Sequence, residues 1–147
     1  MGTAKSRDLL HSLTQRLLDD IRGSTGLDAS VAVVEQQDIY DVILVMAGSG
    51  TGFRVLQSLL DEDRGEQVLV AMADDLSEPV MEQVLDMAGV EVARLWPKCP
   101  RHDHALDPKL NGGRASWCCD FDKTVAVPVG ELARRLWERR PSIIEPT

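Results

Sequence analysis

The sequence predicts an α+β fold: an N-terminal helix, an antiparallel β-meander, a long kinked helix, then a zinc-ribbon-like β-hairpin module and a C-terminal helix. Three observations carry this reading. Leu10, Leu13, Leu17 and Ile21 recur at helical spacing near the start of the chain. Two β-branched runs, SVAVVEQ and IYDVILVMA, follow with only Gln37 and Asp38 between them. All three cysteines and two of the three histidines then fall within residues 99–119, a density that suggests metal ligation. An α/β open sheet is the alternative.

Size and charge narrow the function classes. A chain of 147 residues is long enough for one real core, and with aromatics at only 4% that core must be aliphatic. The net charge of −8 points away from nucleic acid, which selects clustered Lys and Arg, and away from anionic membrane surfaces. The first residues hold no apolar run fit for a signal peptide, and no stretch approaches the length of a membrane span. A cytoplasmic protein is therefore expected. Its cysteines would stay reduced there, which disfavours a disulfide from Cys99 to Cys118 or Cys119.

The elements follow in order. Residues 6–22 read as an amphipathic helix capped by Ser6 and stopped by Gly23. Residues 30–47 read as two strands, the second so continuously apolar that a helix should cover one of its faces. AGSGTG then breaks the pattern with three glycines, and FRVLQSLL reads as a third strand or a helix. In 66–88, Leu69, Met72, Leu76, Val80, Val84 and Met87 keep one helical stripe throughout, which predicts a single helix bent at Pro79. The rival reading makes VLVAMA a buried strand, starts a helix at Ser77 and makes VEVARLW the next strand. From Trp96 the runs are short and the apolar mass small, so a staple is expected. Residues 129–140 return to helix through Val129, Leu132, Ala133, Leu136 and Trp137, with Pro141 as the stop. The chain thus divides into an α+β body at 1–95, a ribbon-like module at 96–128 and a helix with its tail at 129–147.

The module carries the chemistry. Cys99 and His102 are two residues apart, a spacing that lets one tight turn offer two ligands to one ion. Cys119 and Asp122 repeat the spacing, Cys119 lying 17 residues after His102. Asn111-Gly112-Gly113 sits between the pairs and supplies a hairpin turn. The candidate ligands for Zn2+ are Cys99, His102, His104, Cys119 and Asp122. His104 competes with His102 and Cys118 with Cys119, while Asp120 or water could stand in for Asp122.

These residues also carry a resemblance. WPKCPRHDHALDP, GRASWCCDFDK and VPVGEL resemble the C-terminal module of a group of small uncharacterised bacterial proteins, whose pattern is WPxCPxHxHxLxP, then GxAxWxCPxDG, then IGEL. The match spans about residues 96–132 and aligns Cys99, His102, His104, Trp117, Cys119 and Asp122 with pattern positions. The chain departs from it at Asp120, where the pattern has Pro, and at Lys123, where it has Gly. The resemblance implies a fold rather than an activity, and favours the meander and the single helix.

Other features have plainer readings. DVILVMAGSGTGF imitates a strand and a phosphate-cradling glycine loop but lacks the lysine such a loop needs, so a hairpin loop is expected. Arg134, Arg135, Arg139 and Arg140 complement the end of the last helix, or dock an acidic partner or nucleic acid. Asp19-Asp20, Asp61-Glu62-Asp63 and Asp74-Asp75 read as solvated faces, and His11 as exposed or structural. Trp96 and Trp117 are expected to pack over the ribbon. Together these readings predict a non-enzymatic protein-interaction or regulatory module with a protein partner and room for a homo-oligomer. One alternative is an enzyme or small-molecule binder that uses an open metal position or the AGSGTG loop. A nucleic-acid accessory acting through the terminal arginines is the other.

Overall fold

The computed structural model describes residues 4–46, 48–88, 96–102 and 104–132, with the helical backbone alone for 4 and 85–88. Helix α1 (Ala4–Thr25) is followed by strands β1 (Ala29–Gln36), β2 (Ile39–Met46) and β3 (Ser49–Leu56), a short helix α2 (Gln57–Asp61) and helix α3 (Gly65–Ala88). Strands β4 (Asp107–Asn111), β5 (Arg114–Cys118) and β6 (Ala126–Pro128) form a second sheet. The fold is α+β: both sheets are antiparallel meanders, in the orders β1-β2-β3 and β4-β5-β6.

Helix α1 is longer than its leucine stripe suggests. Ser6 lies inside it and is buried, sharing a 3.0 Å hydrogen bond with the Tyr40 hydroxyl instead of capping the start. Gly23 is also internal, and the turn comes at Gly26, whose φ of 75° is left-handed. The stripe itself packs inward: Leu10, Leu13, Leu17 and Ile21 are all buried. On β2 the two-residue period is strict, with Tyr40, Val42, Leu44 and Met46 buried and the intervening residues half-buried. Helices α1 and α3 pack on each other and against the sheet, covering that inner face.

The glycine segment is not a loop. Gly48 makes the turn at φ 80°, and Ser49 to Leu56 then run as a full edge strand, pairing Gly50 with Val45 and Gly52 with Ile43. A Cβ on Gly50 would sit 3.3 Å from Cγ2 of Ile43, so the absent side chain lets the branched isoleucine lie close to the neighbouring strand. The expected hairpin loop is therefore mostly strand, and it offers no cradle for a phosphate. FRVLQSLL resolves into both of its readings, with strand to Leu56 and helix from Gln57.

Residues 65–88 form one helix with Pro79 inside it, as the unbroken apolar stripe requires. Leu69, Met72, Leu76, Val80 and Val84 are buried along it. The segment VEVARL at 90–95 lies outside the described residues, as do 133–147, which hold most of the predicted last helix and the four arginines. Val129 and Leu132 are described, and both are buried. Among the described residues, no helix is long and apolar enough to cross a membrane.

The second sheet docks on α1 and α3, and one apolar core runs from Leu10 through Met72 to Trp117 and Val127. Polar ties reinforce the docking. Arg16 donates two bonds to the Glu66 carboxylate, at 2.7 and 3.1 Å, and a third at 2.9 Å to the Val129 carbonyl. Glu66 in turn accepts the Ala115 N–H at 2.8 Å. Asp20, read from sequence as part of a solvated pair, is 1% exposed and lies in the core, because its position on α1 faces the second sheet. Asp19 beside it is exposed, in keeping with the helical turn between neighbours.

Candidate metal centre

Two loops of the second sheet bring the centre together. In the first, Leu106 N–H donates to the Pro97 carbonyl at 2.6 Å, and Lys98 pairs with Ala105 in an antiparallel bridge. Inside that clamp Cys99 N–H donates to the His104 carbonyl at 2.9 Å, so Cys99, His102 and His104 share one small loop. The second loop joins β5 to β6, where Cys119 N–H donates to the Val125 carbonyl at 3.1 Å and Val125 N–H to Asp122 at 3.0 Å. The β4–β5 hairpin aligns the two loops. Its Gly112 and Gly113 have φ of 62° and 81°, the paired left-handed conformations of a tight two-residue turn.

Cys99, His102, His104 and Cys119 each offer one ligand atom, and these four atoms lie within 4.8 Å of one another, close enough to hold one metal ion. Sγ of Cys99 is 3.6 Å from Nδ1 of His102. Sγ of Cys119 is 3.3 Å from Nδ1 of His102 and 3.3 Å from Nε2 of His104. The far nitrogen of His104, Nδ1, lies 2.7 Å from the Ala105 carbonyl. A proton placed there leaves Nε2 free as a donor toward the cluster. That contact with the Ala105 carbonyl holds the His104 pKa above its ordinary value, with the Cys119 side chain adding to the effect.

Both sulfurs receive main-chain support. Arg101 N–H points at the Cys99 sulfur, 3.5 Å away, and Phe121 N–H at the Cys119 sulfur, 3.3 Å away. In each case the donor lies two residues after the cysteine, so the two turns offer the same favourable contact to a thiolate. The cysteines are closed off by the fold at 0% and 5% exposure, whereas both imidazoles are half-buried. Trp96 and Trp117 pack edge to face at 5.3 Å, and their indole nitrogens donate to Ser24 and Asp20 of α1. The tryptophans thus anchor the module to the body.

The other sequence candidates point elsewhere. Asp122 is not among the four clustered residues: its carboxylate accepts Thr124 N–H at 2.9 Å, the Thr124 hydroxyl at 2.6 Å and Arg101 at 2.9 Å. The Thr124 bonds, with Arg101 beside them, hold its pKa below the usual carboxylate range. Asp120 pairs with Lys109 on the surface. Cys118 is half-buried and directs its thiol to the Ser116 carbonyl, with burial pushing its pKa up. Cys118 is the last residue of β5 and follows the buried Trp117, while Cys119 lies past the end of the strand in the loop to β6. His11 is exposed on α1 and belongs to no cluster among the described residues.

Sequence reasoning missed Asp20. Nothing local distinguishes it from Asp19 except its place beside the helix stripe, where Ile21 and Leu17 are buried. No family model, curated protein or solved structure matches the chain.

Proposed function

We propose that the protein is a zinc-holding, non-enzymatic module that presents a rigid surface to a protein partner. The observation that carries the zinc reading is the donor set: two thiols and two imidazoles whose ligand atoms lie within 4.8 Å of one another. Two sulfurs and two nitrogens form a donor set that suits zinc, which takes four N or S ligands in structural sites. Cys99, His102, His104 and Cys119 would hold it, and the ion would supply a cross-link between two loops of a module with little apolar mass of its own.

A set of four protein ligands leaves no open position for water or substrate, which favours a structural role over catalysis. A groove of about 550 Å³ over the first sheet is lined by Asp41, Ile43, Gly50, Gly52, Phe53 and Arg54, none of them a cluster residue. Binding a partner, rather than transforming a substrate, is the use that suits such a scaffold.

The test is elemental analysis of the purified, untagged protein beside its Cys99→Ser variant. About one zinc per chain is expected for the parent, with zinc content and melting temperature falling together in the variant. Unchanged metal content and melting in Cys99→Ser would overturn the zinc reading. The partner reading is tested on the zinc-loaded protein by crosslinking in its native extract: a single stoichiometric protein adduct is expected, and turnover of a small substrate with no adduct would replace it.

A further inference from the structure

We propose that Phe121 is the lid of this centre: it closes the solvent side of the two imidazoles and sets the rate at which zinc leaves, without providing a ligand. The inference rests on the zinc reading above.

Phe121 is 76% exposed, the most exposed large hydrophobic residue among those described. Scattered surface hydrophobics need no explanation, but this one is held in place. Its main-chain N–H donates to the Cys119 sulfur at 3.3 Å, which fixes the backbone against the centre. Its ring lies 5.1 Å from the His104 ring, edge to face, and 5.8 Å from the His102 ring. The two imidazoles are themselves 5.4 Å apart, so a single phenyl group spans both.

The centre is shielded unequally. On the sulfur side the fold closes it, with Cys99 and Cys119 almost wholly buried. On the imidazole side His102 and His104 are half-buried, and that is the side where the phenyl ring sits. An imidazole bound to a cation is electron-poor, and electron-poor ring edges pack favourably on a phenyl face. For zinc to pass to an acceptor, an imidazole must swing away or a competing donor must enter from solvent. Among the described residues, Phe121 is the aromatic side chain that lies against both imidazoles on that side.

The experiment compares zinc transfer from the parent, Phe121→Leu, Phe121→Ala and Leu110→Ala to the chromogenic chelator 4-(2-pyridylazo)resorcinol. Leu110 is the control, an exposed apolar residue on β4 outside the cluster. Zinc stoichiometry and melting temperature are measured first. The expectation is equal stoichiometry and near-equal melting in all four. Release should be about tenfold faster in Phe121→Ala, because both aromatic contacts over the imidazoles are lost. Phe121→Leu should fall between, and Leu110→Ala should match the parent. Equal rates in the zinc-loaded Phe121 variants would overturn the lid while leaving the zinc reading intact. Loss of zinc from Phe121→Ala would make the residue part of the scaffold and also overturn the lid. A parent without zinc would remove both.

Discussion

The carboxylate of Asp20 accepts the indole N–H of Trp117 at 2.7 Å, across 97 positions of the chain. The same carboxylate accepts Gly130 N–H at 2.7 Å and Leu132 N–H at 2.8 Å. One acidic side chain on α1 thus holds both the sheet that carries Cys119 and the turn that leads out of it. Buried donors of this kind are costly to leave unpaired, so the group joins the two ends of the described fold more firmly than its single charge suggests.

Replacing Asp20 with Ala should destabilise the protein by about 3–5 kcal/mol, because two buried N–H groups and the half-buried one of Gly130 lose their acceptor at once. Asp20→Asn keeps one acceptor oxygen and should cost less. Urea unfolding of the three proteins, at fixed zinc loading, measures both effects. An alanine variant within 1 kcal/mol of the parent would contradict the proposed role.

The pH dependence has a definite sign. Burial raises the Asp20 pKa from 3.8 to about 6, against the lowering influence of its hydrogen bonds to Gly130, Trp117 and Leu132. The folded state therefore binds this proton more tightly than the unfolded chain does. The contribution is full below the unfolded value and is lost as pH rises through about 6. The stability of the parent relative to Asp20→Asn should accordingly fall by about 2 kcal/mol between pH 4 and pH 7. Carbon NMR of the Asp20 carboxyl gives an independent midpoint, expected near 6.

His104→Ala and Asp122→Asn separate the two candidates for the fourth ligand. The first should lower zinc affinity by orders of magnitude, since it removes a nitrogen from the cluster. The second should leave stoichiometry at one, since Asp122 serves the turn at Thr124 and an ion pair with Arg101 rather than the cluster. Competitive titration with a chelator reads both. Retained affinity in His104→Ala with loss in Asp122→Asn would reverse the assignment.

Glu66→Gln should weaken the docking of the second sheet on the helices by about 1–2 kcal/mol. Burial tends to raise the Glu66 pKa, but Arg16, the Ala115 N–H and Arg114 outweigh it and hold the carboxyl below its ordinary value. Its contribution is therefore present at neutral pH and is lost as pH falls through the folded value. Thermal unfolding at pH 7 should show the difference between parent and variant, and at pH 3 that difference should shrink.

The helices and the first sheet were legible because their signals are local. The stripes of α1 and α3 and the two-residue alternation of β2 each depend on residues within one element, and burial of one face is the cheapest outcome for such a pattern. The Cys99–His102 spacing and the Gly112-Gly113 turn are local in the same sense. Tertiary structure decided the rest. Whether the glycine run was loop or strand depended on a partner strand able to pair with it, and β2 supplied one. That His104 meets Cys119 while Asp122 turns to Thr124 and Arg101 depends on how two loops approach across a hairpin. That Asp20 is buried and Asp19 is not depends on donors contributed almost a hundred residues later. A carboxylate looks the same in any sequence. Only the groups folded around it determine whether water or protein satisfies it.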